Sequence, residues 1–577
     1  MARTQTIRAR SSWIYGALAC GALALIGRLT YLQVFQAPHL TALAREQRTR
    51  EIDLASVRGE IVDRNGKELA VSVDAASVYA QPVDFDMDPA QIAARLAPVL
   101  KMNAADLEKG LQGRHWRWIA RQQEEEVGQA VKALKIPGIG VVRESKRIYP
   151  KDTLAAPLIG FVGVDNQGLA GIERYFDTVL RGGSQKLFVQ VDARGREILR
   201  ENGGSPLRTL LADGARVVLT LDETVQHIAE RELAHSIEQL KAKRGAVLVM
   251  NAQNGNVLAY ATLPSFDPNH YRDAHWELIK NWVAQDVYEP GSTIKVFTVA
   301  SALQAGVVSP QTTFPCPPTL KMGKHTISDH GAPPGIRQLT PGQILEVSSN
   351  VGALQVGLRM PETFHRTMLT RFGFGSVTDS GIRGESKGLL PPLPWPNVRQ
   401  GSISYGYGLS VTPLQILTAA TAVADEGRLH APRIIDKVVS PDGKVLQEFP
   451  VATASQVISP AVSHQVLTML QQVVDSGTGT SARVPGYNVA GKTGTANKSR
   501  ASGGGYTSDV YASFLGFAPA ERPQLVVLAL LDSPQNAHFA AATAAPLFKA
   551  VVSQTLPYLG IMPYVPLDQK VTAHASH

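Results

Sequence analysis

Residues 289–295 read Glu-Pro-Gly-Ser-Thr-Ile-Lys and run directly into residues 293–305, whose pattern predicts a helix that ends at Gly306. On a helix, residues three apart share a face with Cβ atoms ~5–6 Å apart, so Lys295 can reach the Ser292 hydroxyl. A serine hydroxyl needs such a base to act as a nucleophile. The positive helix end disfavours a nearby ammonium and so favours a neutral Lys295. Taken alone, the pattern fits an N-cap serine with a surface lysine better, so its interpretation depends on other signals.

A second motif, Ser348-Ser349-Asn350, lies downstream. The Ser348 hydroxyl can relay a proton, and the Asn350 amide can hold a substrate carbonyl and fix Lys295. A third motif is Lys492-Thr493-Gly494-Thr495 in a strand of small residues, along whose edge a substrate backbone can pair, with room at Gly494. Lys492 and the two threonine hydroxyls are suited to bind a carboxylate. A phosphate loop is not indicated, because no helical pattern follows the run from Gly486 to Gly491.

The pattern around these motifs predicts a large α+β domain over residues 217–560. Residues 244–251 and 255–261 flank Asn254-Gly255, which predicts a β-hairpin, and residues 524–531 predict a buried strand. Residues 50–210 predict a smaller module with short strands, separated from the large domain by a break at residues 203–206. The Gly-rich stretch 497–509 predicts a mobile loop, and residues 566–577 predict a disordered tail.

Composition excludes several classes of protein. The chain has 577 residues, of which 44% are hydrophobic and 18% charged, which is ordinary for a folded protein and excludes a disordered chain or a coiled coil. The formal net charge of +8 is modest for this length, and no basic run interleaves with aromatic residues, so nucleic-acid binding is not indicated. Two cysteines cannot form a disulfide framework, and no Cys/His cluster has the spacing of a zinc site. No cofactor is indicated.

The N-terminus predicts a membrane anchor. Residues 1–12 contain three arginines and no acid, and the apolar residues 13–35 are long enough to cross ~30 Å of hydrocarbon at ~1.5 Å per residue. Arg28 lies near the far end, where it can reach the headgroups. The alternatives are a signal peptide cleaved after the Ala-Leu-Ala of residues 22–24, and, less favoured, a lipoprotein through Cys20. The arginines Arg3, Arg8 and Arg10 before the span place the N-terminus in the cytoplasm and the bulk of the chain outside.

The three motifs, in this order, resemble those of the penicilloyl serine transferases, which include penicillin-binding proteins and serine β-lactamases. Four further segments resemble the pedestal module of class B penicillin-binding proteins, which β-lactamases lack; they are residues 58–66, 147–150, 171–173 and 192–195. Asn350, where elongation-type relatives usually have Asp, and residues 406–415 are similar to the division-type, septal members. Val296 departs from the family, which commonly has Pro there.

The resemblance implies an α+β fold. It comprises a cytoplasmic tail (1–12), a transmembrane helix (13–35), an elongated β-rich pedestal of the dimerisation type (50–210) and a β-lactamase-like transpeptidase domain with an antiparallel sheet and helices (217–560). It also implies a serine-type peptidoglycan D,D-transpeptidase that cross-links stem peptides at the septum during cell division. The chain would then be a single-pass protein of the bacterial inner membrane with a periplasmic catalytic domain. Its partners would be stem peptides, β-lactams, a septal glycosyltransferase and other divisome proteins.

The resemblance also implies residue roles. Ser292 attacks the D-Ala–D-Ala amide while Lys295 accepts its proton, and the backbone N–H groups of Ser292 and Thr495 form the oxyanion hole. Ser348, positioned with the help of Asn350, passes a proton to the leaving D-Ala. The substrate carboxylate is bound by Lys492, Thr493 and Thr495, beside Gly494, and Tyr407 either lines the cleft or packs as an ordinary aromatic residue.

Other functions remain possible at this point. The chain could be an elongation-type or specialised transpeptidase, an enzyme that hydrolyses or senses β-lactams, or a non-catalytic scaffold of the divisome. The anchor and pedestal argue against a β-lactamase, and the intact Ser292, Lys295 and Lys492 argue against a scaffold.

Overall fold

The computed structural model describes residues 2–37, 39–40, 49–190, 213–500 and 505–564, with side chains left out of the description for 2–12, 49–55 and 184–190. These residues form two compact units. The first comprises the described parts of 1–56, 74–144 and 182–213, and the second those of 57–73, 145–181 and 214–577. The break expected at 203–206, the motif at 192–195 and the tail expected at 566–577 lie outside the described residues.

The N-terminal segment is helical, as predicted. An α-helix spans Ala2–Thr30 and continues as a π-helical turn over Tyr31–Phe35. Among the helices that the structure describes, the stretch Trp13–Phe35 alone is long and apolar enough to cross a membrane, with a mean hydropathy of 1.5. Its large apolar side chains are exposed, as expected of a lipid-facing surface.

The first unit has its own small core. The helix Pro89–Leu100 begins at the Asp88 side chain, which accepts a hydrogen bond from the Ala90 N–H, and it buries Ile92, Leu96 and Leu100 at i, i+4 spacing. These side chains pack with others of this unit into one hydrophobic cluster. The other helices and strands with residues in this unit are Ala104–Leu111, Glu125–Ala133, the paired strands Thr49–Ala55 and Ser184–Gln190, Arg117–Gln123, and parts of Glu68–Ala80 and Ile139–Ile148.

In the second unit, a mixed sheet brings together three of the pedestal segments singled out in the sequence. Arg58 donates to Glu173 at 2.7 Å and to Asp177 at 2.7 Å, and Arg147 donates to the other oxygen of Glu173 at 2.7 Å. Glu173 is completely buried and the Arg58 side chain nearly so. The resemblance in the sequence therefore rests on residues that form a buried ionic cluster. The strands of this sheet within the unit are Val445–Glu448, Ile435–Val439, Arg216–Leu219, Ile61–Val62 and the start of Glu68–Ala80.

The main sheet of the second unit has five antiparallel strands, in the order Ala490–Ser499, Tyr506–Ala518, Leu525–Asp532, Arg244–Asn251 and Val257–Leu263. The predicted hairpin and the predicted buried strand are thereby confirmed. Every residue of Leu525–Asp532 is buried, and alternate side chains enter two different hydrophobic clusters. Because side chains alternate across a strand, the sheet is covered on both faces.

Helices cover this sheet. Glu223–Leu240 and Ala544–Tyr558 contribute to one cluster, and Ile294–Gln304 and Pro413–Ala424 to the other. The remaining helices of four or more residues are Ala156–Ile159, Gly171–Tyr175, Asp177–Arg181, Pro268–Asp273, Trp276–Ile279, Trp282–Gln285, Pro341–Glu346, Asn350–Leu358, Glu362–Arg371, Asn397–Ser404 and Pro460–Asp475. Three short strand pairs complete the unit: Phe314–Cys316 with Arg337–Leu339, Thr319–Met322 with His325–Ser328, and Arg428–Leu429 with Ser455–Gln456.

The prediction of a loop over residues 497–509 was wrong at both ends. Asn497 pairs with Val510 and Ser499 with Tyr506, so the strands extend into the Gly-rich stretch from either side. The sequence did not predict these strand ends, because the polar residues and glycines of an exposed strand extension show no alternation of apolar and polar side chains. Residues 501–504 lie outside the described part of the chain.

Candidate active site

Ser292 lies in a 3₁₀ turn, Gly291–Thr293, that leads into the helix Ile294–Gln304. From Pro290 to Leu303 it is the one residue that is not fully buried. Gly291 permits this tight entry, since its φ of +55° is one that L side chains rarely adopt. The Gly291 N–H donates to the carbonyl of Gly406 at 3.1 Å, and this hydrogen bond fixes the turn against the segment that contains Gly406. The serine is therefore held rigidly and remains accessible.

Two buried lysines meet at Ser348. The Lys295 Nζ donates to the Ser348 carbonyl at 2.6 Å and to the Asn350 Oδ1 at 2.8 Å, and lies 3.3 Å from the Ser348 Oγ. The Lys492 Nζ donates to the same Oγ at 3.0 Å. Both lysines are 0% exposed. The three motifs are thus brought together by side-chain contacts, with Lys295 engaged by the second motif and not by the Ser292 Oγ. Such contacts of the free enzyme often rearrange when substrate binds.

Burial changes the proton affinity of both lysines. Loss of hydration, followed by the charge of Lys492, holds the pKa of Lys295 well below its usual value, against an opposing effect of the Asp329 carboxylate. Burial alone lowers the pKa of Lys492 to about 7. The expectation that Lys295 can serve as a neutral base agrees with this environment. The expectation that Lys492 stays charged is favoured by an anion beside it, because burial in the free site favours the neutral amine.

Ser348 has a left-handed backbone, with φ +57°, which costs an L residue on the order of 1 kcal/mol. The Lys295 bond to its carbonyl holds this conformation. Ser349 follows as the N-cap of the helix Asn350–Leu358, and its Oγ accepts a hydrogen bond from the Gly352 N–H at 2.8 Å. The second motif is therefore a helix entry in which one serine caps the helix and the other faces the lysines.

Lys492 to Thr495 lie on the outermost strand of the five-stranded sheet, so one edge of the strand is unpaired within that sheet. An edge of this kind can bind an extended peptide through its backbone. Thr493 shares a hydrogen bond with the Thr478 hydroxyl at 3.0 Å, and the Thr495 Oγ1 accepts one from the Ala540 N–H at 3.2 Å. Both hydroxyls thus have partners in the free site.

Gly494 lies where its strand approaches the turn that carries Ser292. A Cβ at this position would lie 2.5 Å from the Ser513 Oγ and 2.8 Å from the Thr293 Cγ2. The space on the side of a Cβ is therefore occupied by Ser513 and by the residue next to Ser292, and room for a substrate backbone at Gly494 remains a prediction. The absent side chain allows the strand to approach the turn that carries Ser292.

Tyr407 lies in a cluster of tyrosines. Its ring centroid is 5.7 Å from that of Tyr405 and 5.4 Å from that of Tyr506. Burial raises the pKa of the Tyr407 hydroxyl, so it is neutral at physiological pH. None of the hydrogen bonds described connects it to Ser292, Lys295 or Lys492, and a wall of the cleft remains a prediction for it.

The sequence analysis missed Asp329. This buried carboxylate accepts hydrogen bonds from the Ser349 hydroxyl and from the N–H groups of Asn350 and Val351. It lies 20 residues before the motif it contacts, beyond the strand Arg337–Leu339 and the helix Pro341–Glu346, so no local spacing links it to Ser349. Among the described residues, no group of three His, Cys, Asp or Glu side chains could hold a metal ion.

Comparison with known proteins identifies the family. Residues 245–553 match the penicillin binding protein transpeptidase domain, and residues 53–209 match the penicillin-binding protein dimerisation domain. The chain is 33% identical to the peptidoglycan D,D-transpeptidase FtsI of Escherichia coli K12, covering 96% of this chain and 93% of that protein. It is also 33% identical to the stage V sporulation protein D of Bacillus subtilis, covering 93% and 83%, respectively.

Comparison with solved structures supports the same family. Penicillin-binding protein 3 of Mycobacterium tuberculosis, in complex with aztreonam, superposes with a TM-score of 0.69 at 27% identity, over 89% of this chain and 99% of that one. A peptidoglycan synthetase of Bifidobacterium adolescentis superposes with a TM-score of 0.71 at 25% identity, over 90% and 98%. With both domains matched in one chain, and with relatives this similar over nearly its whole length, the protein belongs to the penicillin-binding protein transpeptidases, in their class B.

Proposed function

We propose that the protein is a serine-type peptidoglycan D,D-transpeptidase whose nucleophile is Ser292. The observation that carries the proposal is the accessible Ser292 on an otherwise buried turn, three residues before the buried Lys295, which shares Ser348 with the buried Lys492. Membership of the family and similarity to FtsI, a peptidoglycan D,D-transpeptidase, support the reaction class.

In the first half of the reaction, the Ser292 Oγ attacks the carbonyl carbon of the penultimate D-Ala and gives its proton to neutral Lys295. The developing oxyanion is bound by the backbone N–H groups of Ser292 and Thr495. Ser348, whose Oγ lies 3.3 Å from the Lys295 Nζ, passes a proton to the amide nitrogen and takes its replacement from protonated Lys295. The C–N bond breaks, and D-Ala leaves as the amine. Asn350 keeps Lys295 in place through its Oδ1.

In the second half, a primary amine of a neighbouring stem peptide attacks the acyl-Ser292 ester. The amine loses a proton to the same relay, the ester C–O bond breaks, and Ser292 recovers its hydroxyl. The product is a cross-link. Lys492, Thr493 and Thr495 bind the terminal carboxylate of the donor, while Gly494 keeps their strand against the Ser292 turn.

β-Lactams acylate Ser292 on this proposal, because their strained amide occupies the position of the donor amide. Fluorescent penicillin is therefore expected to label the protein, and Ser292→Ala is expected to lose all label. Ser265→Ala, which removes a serine hydroxyl bonded only to a loop carbonyl, serves as the matched control and is expected to keep it. Label that survives in Ser292→Ala would refute the assignment of the nucleophile.

The domain boundaries proposed are those of the sequence analysis: tail 1–12, anchor 13–35, pedestal 50–210 and transpeptidase domain 217–560. The apolar helix with three arginines before it supports an uncleaved anchor, a cytoplasmic N-terminus and a periplasmic catalytic domain. An alkaline phosphatase fused after residue 50 is expected to be active, and the mature chain to begin at residue 1 or 2. A mature N-terminus near residue 25 would show a cleaved signal instead.

The septum is the proposed place of action, with a septal glycosyltransferase and other divisome proteins as partners. Similarity to FtsI and the Asn350 of the second motif support this assignment. The equal identity to a sporulation protein leaves a specialised transpeptidase as the alternative. A fluorescent fusion is expected at midcell in dividing cells, whereas a signal along the side wall would contradict the septal role.

A further inference from the structure

The Asp329 carboxylate accepts four hydrogen bonds, three from the start of the helix Asn350–Leu358 and its N-cap and one from an arginine. Its Oδ1 accepts from the N–H groups of Asn350 at 2.6 Å and Val351 at 3.0 Å. Its Oδ2 accepts from the Ser349 hydroxyl at 2.5 Å and from the Arg337 guanidinium at 3.3 Å. The side chain is only 3% exposed. A buried carboxylate has about four lone-pair sites, so every one of them is used.

These contacts fix the first turn of the helix Asn350–Leu358. Two of the four N–H groups that a helix leaves without intrahelical partners are bound by Asp329, and its negative charge lies at the positive helix end. Asn350 is also held through its side chain, because its Nδ2 donates to the Ser328 carbonyl at 2.9 Å. Ser328 and Asp329 are consecutive residues, so one short segment clamps Asn350 through both backbone and side chain.

The clamp reaches the reacting groups in one further step. The Asn350 Oδ1 accepts a hydrogen bond from the Lys295 Nζ, and Ser348, directly before the clamped residues, accepts from both lysines. A displacement of Asn350 by a fraction of an ångström therefore changes the position of Lys295 and Ser348 together. Catalytic groups displaced by about 1 Å can lose about a hundredfold in rate.

Asp329 also affects the charge balance of the site. Lys492 and the Asp329 carboxylate both act on the charge of Lys295, and the Arg337 guanidinium lies 3.3 Å from the Asp329 carboxylate. The carboxylate raises the pKa of Lys295, in opposition to burial and to Lys492, which lower it. The pKa of Lys295 is thus a balance in which the Asp329 carboxylate opposes burial and Lys492.

We propose that Asp329 is a positioning residue of the transpeptidase: it clamps Ser349 and Asn350 so that Ser348 and Lys295 are held for proton transfer. This inference rests on the proposed function of Ser292 and Lys295. Asp329 itself touches neither the substrate nor the reacting atoms.

The test is the second-order rate of acylation by fluorescent penicillin, measured against pH for the full-length, detergent-solubilised protein. Asp329→Asn removes the charge and one of the two acceptor oxygens. The plateau rate is expected to fall roughly tenfold to a hundredfold. The midpoint of the acid limb, where Lys295 loses its proton, is expected to move to lower pH, because the neutral amide no longer favours the ammonium. A purely structural role would lower the rate without moving this midpoint.

Two further variants separate charge from geometry. Asp329→Glu keeps the charge but misplaces it by one methylene, and is expected to lower the rate while leaving the midpoint near that of the wild type. Asp425→Asn is the matched control, since Asp425 is also buried and bonded to an arginine, but contacts none of the catalytic residues. It is expected to leave rate and midpoint unchanged.

The possible failures are distinguishable. An unlabelled wild-type protein would overturn the proposed function itself. A labelled wild type with an unchanged rate in Asp329→Asn, or with a midpoint that stays or rises, would overturn the role of Asp329 alone. If Asp329→Asn does not fold, Asp329→Glu carries the test, and a wild-type rate in that variant would overturn the positioning role.

Discussion

The two buried lysines have the same chemistry but opposite tasks. Lys295 accepts a proton and must be neutral, which its lowered pKa allows. Lys492 must be charged to bind a carboxylate, yet burial lowers its pKa to about 7. A bound carboxylate favours the ammonium, so substrate binding and protonation of Lys492 reinforce each other. Carboxylate-bearing ligands are therefore expected to bind less tightly as the pH rises above about 7.

Arginine substitutions distinguish these tasks, because arginine is always charged. Lys295→Arg removes the base and is expected to abolish acylation by penicillin across the accessible pH range. Lys492→Arg keeps the charge and is expected to retain measurable acylation, weakened mainly in binding, and to lose the decline above pH 7. The measurement is the second-order acylation rate against pH. If Lys295→Arg acylates measurably and as fast as Lys492→Arg, Lys295 is not the base, and Ser348 is the next candidate.

At the scale of the element, the site depends on the contact between the strand Ala490–Ser499 and the turn Gly291–Thr293. Gly494 is expected to be essential for this contact, because a Cβ there would overlap Thr293 and Ser513. Gly494→Ala should separate strand and turn and lower the acylation rate roughly tenfold to a hundredfold while the protein stays folded. Gly110→Ala, in a helix where a Cβ meets nothing within 4 Å, is the control and should acylate normally.

Local pattern explains which elements the sequence could predict. The Asn254-Gly255 hairpin, the buried strand and the helix after Ser292 follow from turn residues and apolar runs, and the spacing of Ser292 and Lys295 from helical geometry. Asp329 could not be predicted in this way, since its partners come from a distant segment. The left-handed backbone of Ser348 could not be predicted either, because such a conformation is usually indicated by a glycine and this position has a serine.

At the scale of the molecule, three pedestal segments distant in sequence converge on Glu173. Glu173→Gln leaves two buried arginines without their shared counter-charge and is expected to lower the free energy of unfolding by about 3–5 kcal/mol. Glu223→Gln, which breaks ion pairs with the more exposed Lys67 and Lys151, should cost no more than about 1 kcal/mol. Urea denaturation followed by circular dichroism compares the two, and equal midpoints would show that the cluster contributes little to stability.

The most direct test of the mechanism is transpeptidation itself, followed by mass spectrometry. Full-length protein in detergent is incubated with a stem peptide that ends in D-Ala–D-Ala and with an isotope-labelled D-amino acid as the amine acceptor. The mechanism predicts an acyl adduct on the peptide that contains Ser292, release of one D-Ala, and a product that carries the labelled acceptor, all absent from Ser292→Ala. Undiminished product from Ser292→Ala, or an adduct mapped to Ser348, would contradict it.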